Sequence, residues 1–305
     1  MLRTVFLSGA LSAVLCLAAT APQAQPTEDE IAAARLEYID GDYAAALEVL
    51  MPAAEAGDAN AQNIVADAYD KGNGVEQDTA KALEWWEKSA AQDFDRALHN
   101  LGHHYAASDP ATSAGYYERA AALGYHHSMV NLGRLYEKGL LGDEPDLERA
   151  AELYEQASDL GNALAMNNLG RLYVIEDGLG PDYPYALGLF YDAAEAGSVR
   201  GVSNLGAMYA NGYGVTYDPM AAIALYRMAA EQGHAQAAAN LAYWLIEWDF
   251  GWTNPAEGWA WCQVAIEQAE PADLAGFEAD CDYLSEFVDD AAMAAAAEIK
   301  PGLLR

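Results

Sequence analysis

Positive charge is scarce in this sequence: Lys and Arg together number 15 against 47 Asp and Glu, a formal net charge of −32. A chain this acidic does not bind nucleic acid by neutralising phosphates, nor an anionic bilayer surface through its net charge. β-Branched residues are also few. Alanine, tyrosine, leucine and glycine dominate instead, a mixture that suits close-packed helices and offers little to sheets. Beyond the first twenty or so residues, no apolar run approaches the length of a spanning helix. Catalytic signatures are missing too. There is no G-x-S-x-G, no H-E-x-x-H, no P-loop, no S-x-x-K and no K-T-G. The string D-K-G-N-G (70–74) places glycine where a calcium loop needs its second ligand, so it reads as a turn. No enzymatic activity is expected.

The N-terminus has the order of a secretory signal peptide, expected over 1–24. Arg3 supplies a positive start, Val5 to Ala19 form an apolar stretch, and small and polar residues follow. Cleavage after Ala21 or Ala24 fits, with Pro22 making both sites imperfect. Loss of Arg3 takes the charge from −32 to −33. Val14 and Leu15 precede Cys16, where a lipoprotein would need small residues. The expected location is periplasmic or secreted; the alternative is a membrane anchor made by an uncleaved signal. Either way the two remaining cysteines, Cys262 and Cys281, meet a compartment where disulfides persist.

What the sequence has in abundance is self-similarity. NLGHHY (100–105), NLGRLY (131–136), NLGRLY (168–173) and NLGAMY (204–209) recur, ending in Tyr105, Tyr136, Tyr173 and Tyr209. Tyr69 and Leu245 extend the series at either end. Twelve residues before these stand Gly57, Asp93, Gly124, Gly161, Gly197 and Gly233. Seven residues before most of those turn positions stands a ring: Trp86, Tyr117, Tyr154, Phe190 or Tyr226. Six units are in register. Counting the turn residue as zero, small or apolar residues fall at +4, +8, +9 and +12, one face of a first helix, A. Glycine or alanine at +9 permits close helix approach, and the +12 tyrosine fills the space beside it. A turn such as Gly72-Asn73-Gly74 or Gly212-Tyr213-Gly214 supplies φ > 0 positions. Asp78 and Asp218-Pro219 then open helix B, which carries its ring inward.

Segments 54–90 and 194–230 closely resemble the SEL-one-like repeat, a variant of the tetratricopeptide repeat, and the resemblance covers roughly 54 to 269. It implies an all-α, right-handed superhelical solenoid of six helix-pair units: 54–90, 91–121, 122–158, 159–194, 195–230 and 231–269. It also implies scaffold or adaptor work. Unit two departs from the pattern, with Ala107-Ser108-Asp109-Pro110 in place of the glycine turn. Unit six departs as well, with a crowd of tryptophans that includes Trp244, Trp248, Trp252, Trp259 and Trp261. Residues 25–53 are expected to form an N-terminal capping helix pair and 270–305 C-terminal capping helices. Cys262 and Cys281, on helices expected to pack together, are either bonded or two buried thiols. Some cysteine-rich bacterial members of this repeat group carry a β-lactamase label. A cell-wall hydrolase or penicillin-interacting enzyme is therefore the alternative function, although the cysteine pair of every repeat in that group is absent here.

In tetratricopeptide-like stacks, positions +3, +6 and +10 of helix A line a concave groove, opposite the apolar stripe. Here they give Arg96, Arg200 and His127 at +3, His99 and Asn167 at +6, and His103, Arg134 and Arg171 at +10. The ladder suits carboxylate-bearing protein or peptide segments, because guanidinium groups grip carboxylates bidentately. The competing reading pairs these arginines with the chain's own acids. Asparagines recur at +7 (Asn100, Asn131, Asn168, Asn204, Asn240), bordering the core, as ties between helices or as a grip on a peptide backbone. His99 and His103 are one turn apart, but no acid or cysteine at a fixed spacing completes a site, so no metal and no cofactor is expected. The histidines are read as a pH-responsive patch or as ordinary groove residues. A monomer is expected.

Overall fold

The computed structural model describes residues 25–175, 177–247 and 253–303. The signal-peptide reading and its two cleavage sites fall outside those residues, as do Trp248 and Trp252. Among the described residues there are sixteen α-helices and no strand. None of these helices is long and apolar enough to cross a membrane. The chain divides between Ser89 and Ala90 into two compact units.

The first unit holds α1 (Glu28–Asp40), α2 (Tyr43–Glu55), α3 (Ala59–Lys71) and nearly all of α4 (Thr79–Ala90). Thr27 and Glu30 form a reciprocal capping box at the start of α1, and Gly41 ends it in the left-handed region. The core gathers Ala34, Leu47, Leu50, Ala53 and Val65. Two bonds hold α4 to α3: Trp86 Nε1 donates to Asp67 Oδ1 at 3.0 Å, and Ser89 Oγ to the Ala59 carbonyl at 2.6 Å.

The second unit is a run of five helix pairs. They are α5 (Asp95–Tyr105) with α6 (Pro110–Ala122), α7 (His126–Glu137) with α8 (Leu147–Asp159), and α9 (Ala163–Leu172) with α10 (Tyr183–Glu195). Then come α11 (Val199–Asn211) with α12 (Pro219–Glu231), and α13 (Ala235–Ile246) with α14 (Pro255–Glu267). Each helix packs on the next in order, the arrangement of an α/α solenoid. Two closing helices follow, α15 (Leu274–Ser285) and α16 (Asp290–Ile299), with a short 3₁₀ turn (Lys300–Gly302).

The repeat's sequence marks have direct physical counterparts. Gly57, Gly124, Gly161, Gly197 and Gly233 all take positive φ, and Asp93 holds the same turn position at φ 54°, the one non-glycine to do so among the described residues. The +9 glycines accept the ring of their own unit's B helix. A Cβ on Gly170 would lie 2.7 Å from Phe190, and one on Gly133 2.6 Å from Tyr154. Helix B starts at Asp109, Asp146, Asp182, Asp218 or Asn254, whose side chains cap the first turn. The backbone N–H of each of these residues donates to the carbonyl of the +12 residue: Tyr105, Tyr136, Tyr173, Tyr209 and Leu245 in turn. Leucine replaces tyrosine in the last unit without disturbing that brace, because a main-chain bond does not read the side chain.

At the C-terminal end Cys262 of α14 and Cys281 of α15 are joined by a disulfide, their Cα atoms 5.8 Å apart. Both are buried among Trp261, Val264, Phe277 and Leu284.

Candidate functional site

The A helices α5, α7, α9 and α11 carry the ladder. Arg96, His103, His127, Arg134, Arg171 and Arg200 are exposed on them, while His99 is partly buried. Asn167 is different. Its +6 position places it on the groove side and it lines the larger cavity of this face, yet it is only 4 % exposed and its amide is engaged within the protein. Nδ2 donates to the Ala163 carbonyl and to Ser198 Oγ, and Oδ1 accepts from Asn204 Nδ2 at 3.2 Å. It ties α9 to α11. The +7 asparagine Asn131 also makes a tie, donating to Tyr117 Oη of the preceding B helix.

The arginines fall into two groups. Off the ladder, Arg35, Arg119, Arg149 and Arg227 all form ion pairs, with Asp58, Asp93, Glu152 and Glu257 respectively. On the ladder only Arg171 does, with Glu137, whose other oxygen accepts from Tyr154 Oη at 2.6 Å. Arg96, Arg134 and Arg200 have no ion pair among the described residues.

Four histidines cluster at the α5–α7 junction. His99 Nδ1 lies 2.9 Å from Ser128 Oγ, and its ring packs against Tyr117, Tyr125 and His127. Burial, then the neighbouring His127 and His103, lowers its pKa from 6.5 to about 4, with Asp95 opposing. It is therefore neutral over the range in which an ordinary histidine switches. His126 is spent on Asn162, 2.7 Å away. No three His, Cys, Asp or Glu side chains are grouped to hold a metal among the described residues.

Two cavities open on this face. One, of about 380 Å³, is lined by His103, Arg134 and Lys138 beside Tyr117, Leu135 and Leu140. It lies where unit two lacks its glycine turn. The other, of about 410 Å³, is bounded by Arg171, Arg200, Asn168 and Asn204 on one side and by Gln268, Glu270, Asp273 and Phe277 on the other. His234 stands in it with its pKa lowered by burial and by Arg200, and its Nδ1 accepts the Ala237 N–H at 3.1 Å, as only an unprotonated nitrogen can. The ladder positions foreshadow the A-helix wall. The wall from the α14–α15 connection carries no motif and was not foreseen.

Helix pairs in fixed register, with a polar ladder on one face, define an α/α-repeat protein of the tetratricopeptide-like kind. The Sel1 repeat family model matches residues 59–94, 95–125, 126–162, 163–198 and 200–234, and the chain belongs to that family. The α13–α14 pair lies beyond the matched repeats. The fold is similar to that of a protective antigen present in uropathogenic Escherichia coli strains, which displays an SLR fold (TM-score 0.76, 24% identity, 90% of this chain). This chain spans 61% of the length of that antigen. It is also similar to a Sel1 repeat protein from Oxalobacter formigenes (TM-score 0.71, 26% identity, 78% of this chain and 97% of that one). No curated protein matches the sequence.

Proposed function

We propose that this is an exported, non-catalytic scaffold that receives an acidic peptide or protein segment on the A-helix face of units two to five. The supporting observation is the contrast among arginines. Arg96, Arg134 and Arg200 lack an ion pair among the described residues, whereas all four described arginines elsewhere have one. A bidentate guanidinium–carboxylate contact is among the stronger polar interactions a partner can make. The repeat supplies a rigid frame that holds such groups at a regular spacing. Export rests on the N-terminal sequence alone, and N-terminal sequencing of the secreted chain should begin at Pro22 or Gln25.

The test is selection of a displayed peptide library on the purified protein. Sequences rich in Asp and Glu should be enriched, and the Arg96→Glu/Arg134→Glu variant should lose that enrichment. An unchanged selection profile sinks the groove assignment. A fluorescent penicillin should leave the protein unlabelled; covalent labelling would restore the enzymatic alternative.

A further inference from the structure

Helix α13 starts from a different kind of cap than its counterparts. The A helices α3, α9 and α11 start from Asp58, Asn162 and Ser198, whose side chains accept from the first turn. α13 starts from His234, whose Nδ1 accepts the Ala237 N–H at 3.1 Å. A carboxylate, an amide and a hydroxyl all keep an accepting oxygen at neutral and mildly acid pH. An imidazole does not keep its accepting nitrogen: once protonated, both ring nitrogens are donors, and a donor cannot receive an N–H. This cap therefore exists in one protonation state only.

The surroundings give the other state a place to go. His234 lines the 410 Å³ cavity, with Arg171 and Arg200 of α9 and α11 on one side and Glu270 and Asp273 of the α14–α15 connection on the other. α13 has no charged side chain of its own, and α12 ends in the exposed Glu231. Glu257 and Glu267 of α14 are paired with Arg227 and Lys300. The further acids of α15, Glu278, Asp280 and Asp282, do not line the cavity. Neither Glu270 nor Asp273 has an ion pair among the described residues, and Asp273 makes no side-chain capping bond at the start of α15. An imidazolium at His234 is repelled by the positive end of α13 and by Arg200, and attracted by these two carboxylates. Burial, then Arg200, lowers the His234 pKa below its ordinary 6.5, so the neutral, capping form prevails at pH 7.

We propose that His234 is an acid-operated switch at the seam between the fifth and sixth units. Neutral, it caps α13; protonated, it leaves the cap and turns to Glu270 and Asp273 across the cavity. Acidification thereby frees the first turn of α13 and ties the α12–α13 turn to the α14–α15 connection. The device does not depend on what the A-helix face binds.

The test is an NMR titration of the whole protein from neutral to acid pH. The Ala237 amide and one imidazole should shift together, with a shared midpoint below pH 6.5. That imidazole should be missing from His234→Ser, in which a hydroxyl caps α13 at every pH and the Ala237 amide no longer follows the transition. Glu270→Gln/Asp273→Asn should move the midpoint to lower pH, because the imidazolium loses its attracting wall. Arg200→Met should move it to higher pH, because a repelling charge is gone. The switch is overturned if the Ala237 amide does not titrate with His234, or if it titrates equally in His234→Ser. An unmoved midpoint in Glu270→Gln/Asp273→Asn overturns the turn toward the two carboxylates.

Discussion

His99 shows how far packing can move one side chain from its ordinary chemistry. The group is a base whose folded pKa, about 4, lies below its ordinary 6.5. Between those values the unfolded chain takes up a proton that the folded chain refuses. The contribution is therefore intact above pH 6.5 and is lost as the pH falls toward 4. Urea unfolding at pH 7.5 and 4.5 should show His99→Asn losing less stability on acidification than the parent; parallel losses would contradict the assignment. At the same scale, Gly170→Ala forces a Cβ to 2.7 Å from the Phe190 ring. Overpacking of this kind typically costs about 1–3 kcal/mol, read as a lower urea midpoint with an unchanged slope. An unchanged midpoint would mean that the ring shifts without strain.

Among the elements, the closing pair α14–α15 depends on a covalent link. Closing a loop with a sequence separation of 19 lowers the entropy of the unfolded chain, and a loop of about this size gives roughly 3 kcal/mol. The oxidised protein should show a mass deficit of two protons and should melt at a lower temperature after reduction. Two free thiols in the native protein would remove the link. The elements are unequally legible in the sequence. Turn glycines and ring positions were legible because left-handed turns and close approaches restrict residue type strongly. Asp78 and Asp218 were legible as caps because a glycine turn precedes each. Asp109 and Asn254 carry the same mark as Asp218, a proline directly after the cap, which the pattern of glycine turns alone passes over, while Asp146 and Asp182 cap just as well after irregular turns. In the candidate site, the 100° rule found the exposed arginines, yet it could not tell Arg171, paired with Glu137, from the unpaired Arg134. It placed Asn167 on the side where the larger cavity lies, but angular position does not reveal that Ser198 and Asn204 engage its amide. Gln268 and Asp273 come from a connection outside the repeat pattern, where periodicity carries no information.

For the whole molecule, charge is distributed by purpose more than by amount. The net charge of −32 sets solubility and repels anionic surfaces. Arg96, Arg134 and Arg200, which have no ion pair among the described residues, all stand on A helices of the second unit, and in the proposed function they attract negative partners over roughly the 8 Å Debye length of physiological salt. Most of this is legible from composition and register together, since neither alone separates an inner face from an acidic shell.

The main-chain brace from each B-helix cap to the +12 carbonyl has a further consequence, for heredity. A joint that ignores side-chain identity is the same joint in every unit, so a recombination event that removes or doubles one whole period rejoins matching ends. Excision of residues 163–198 should therefore leave a shorter protein with a cooperative melt and the same helical spectrum per residue. Loss of cooperativity would mean that the units are not interchangeable at their seams. Length, on this view, is a trait that such a chain can change in a single genetic step.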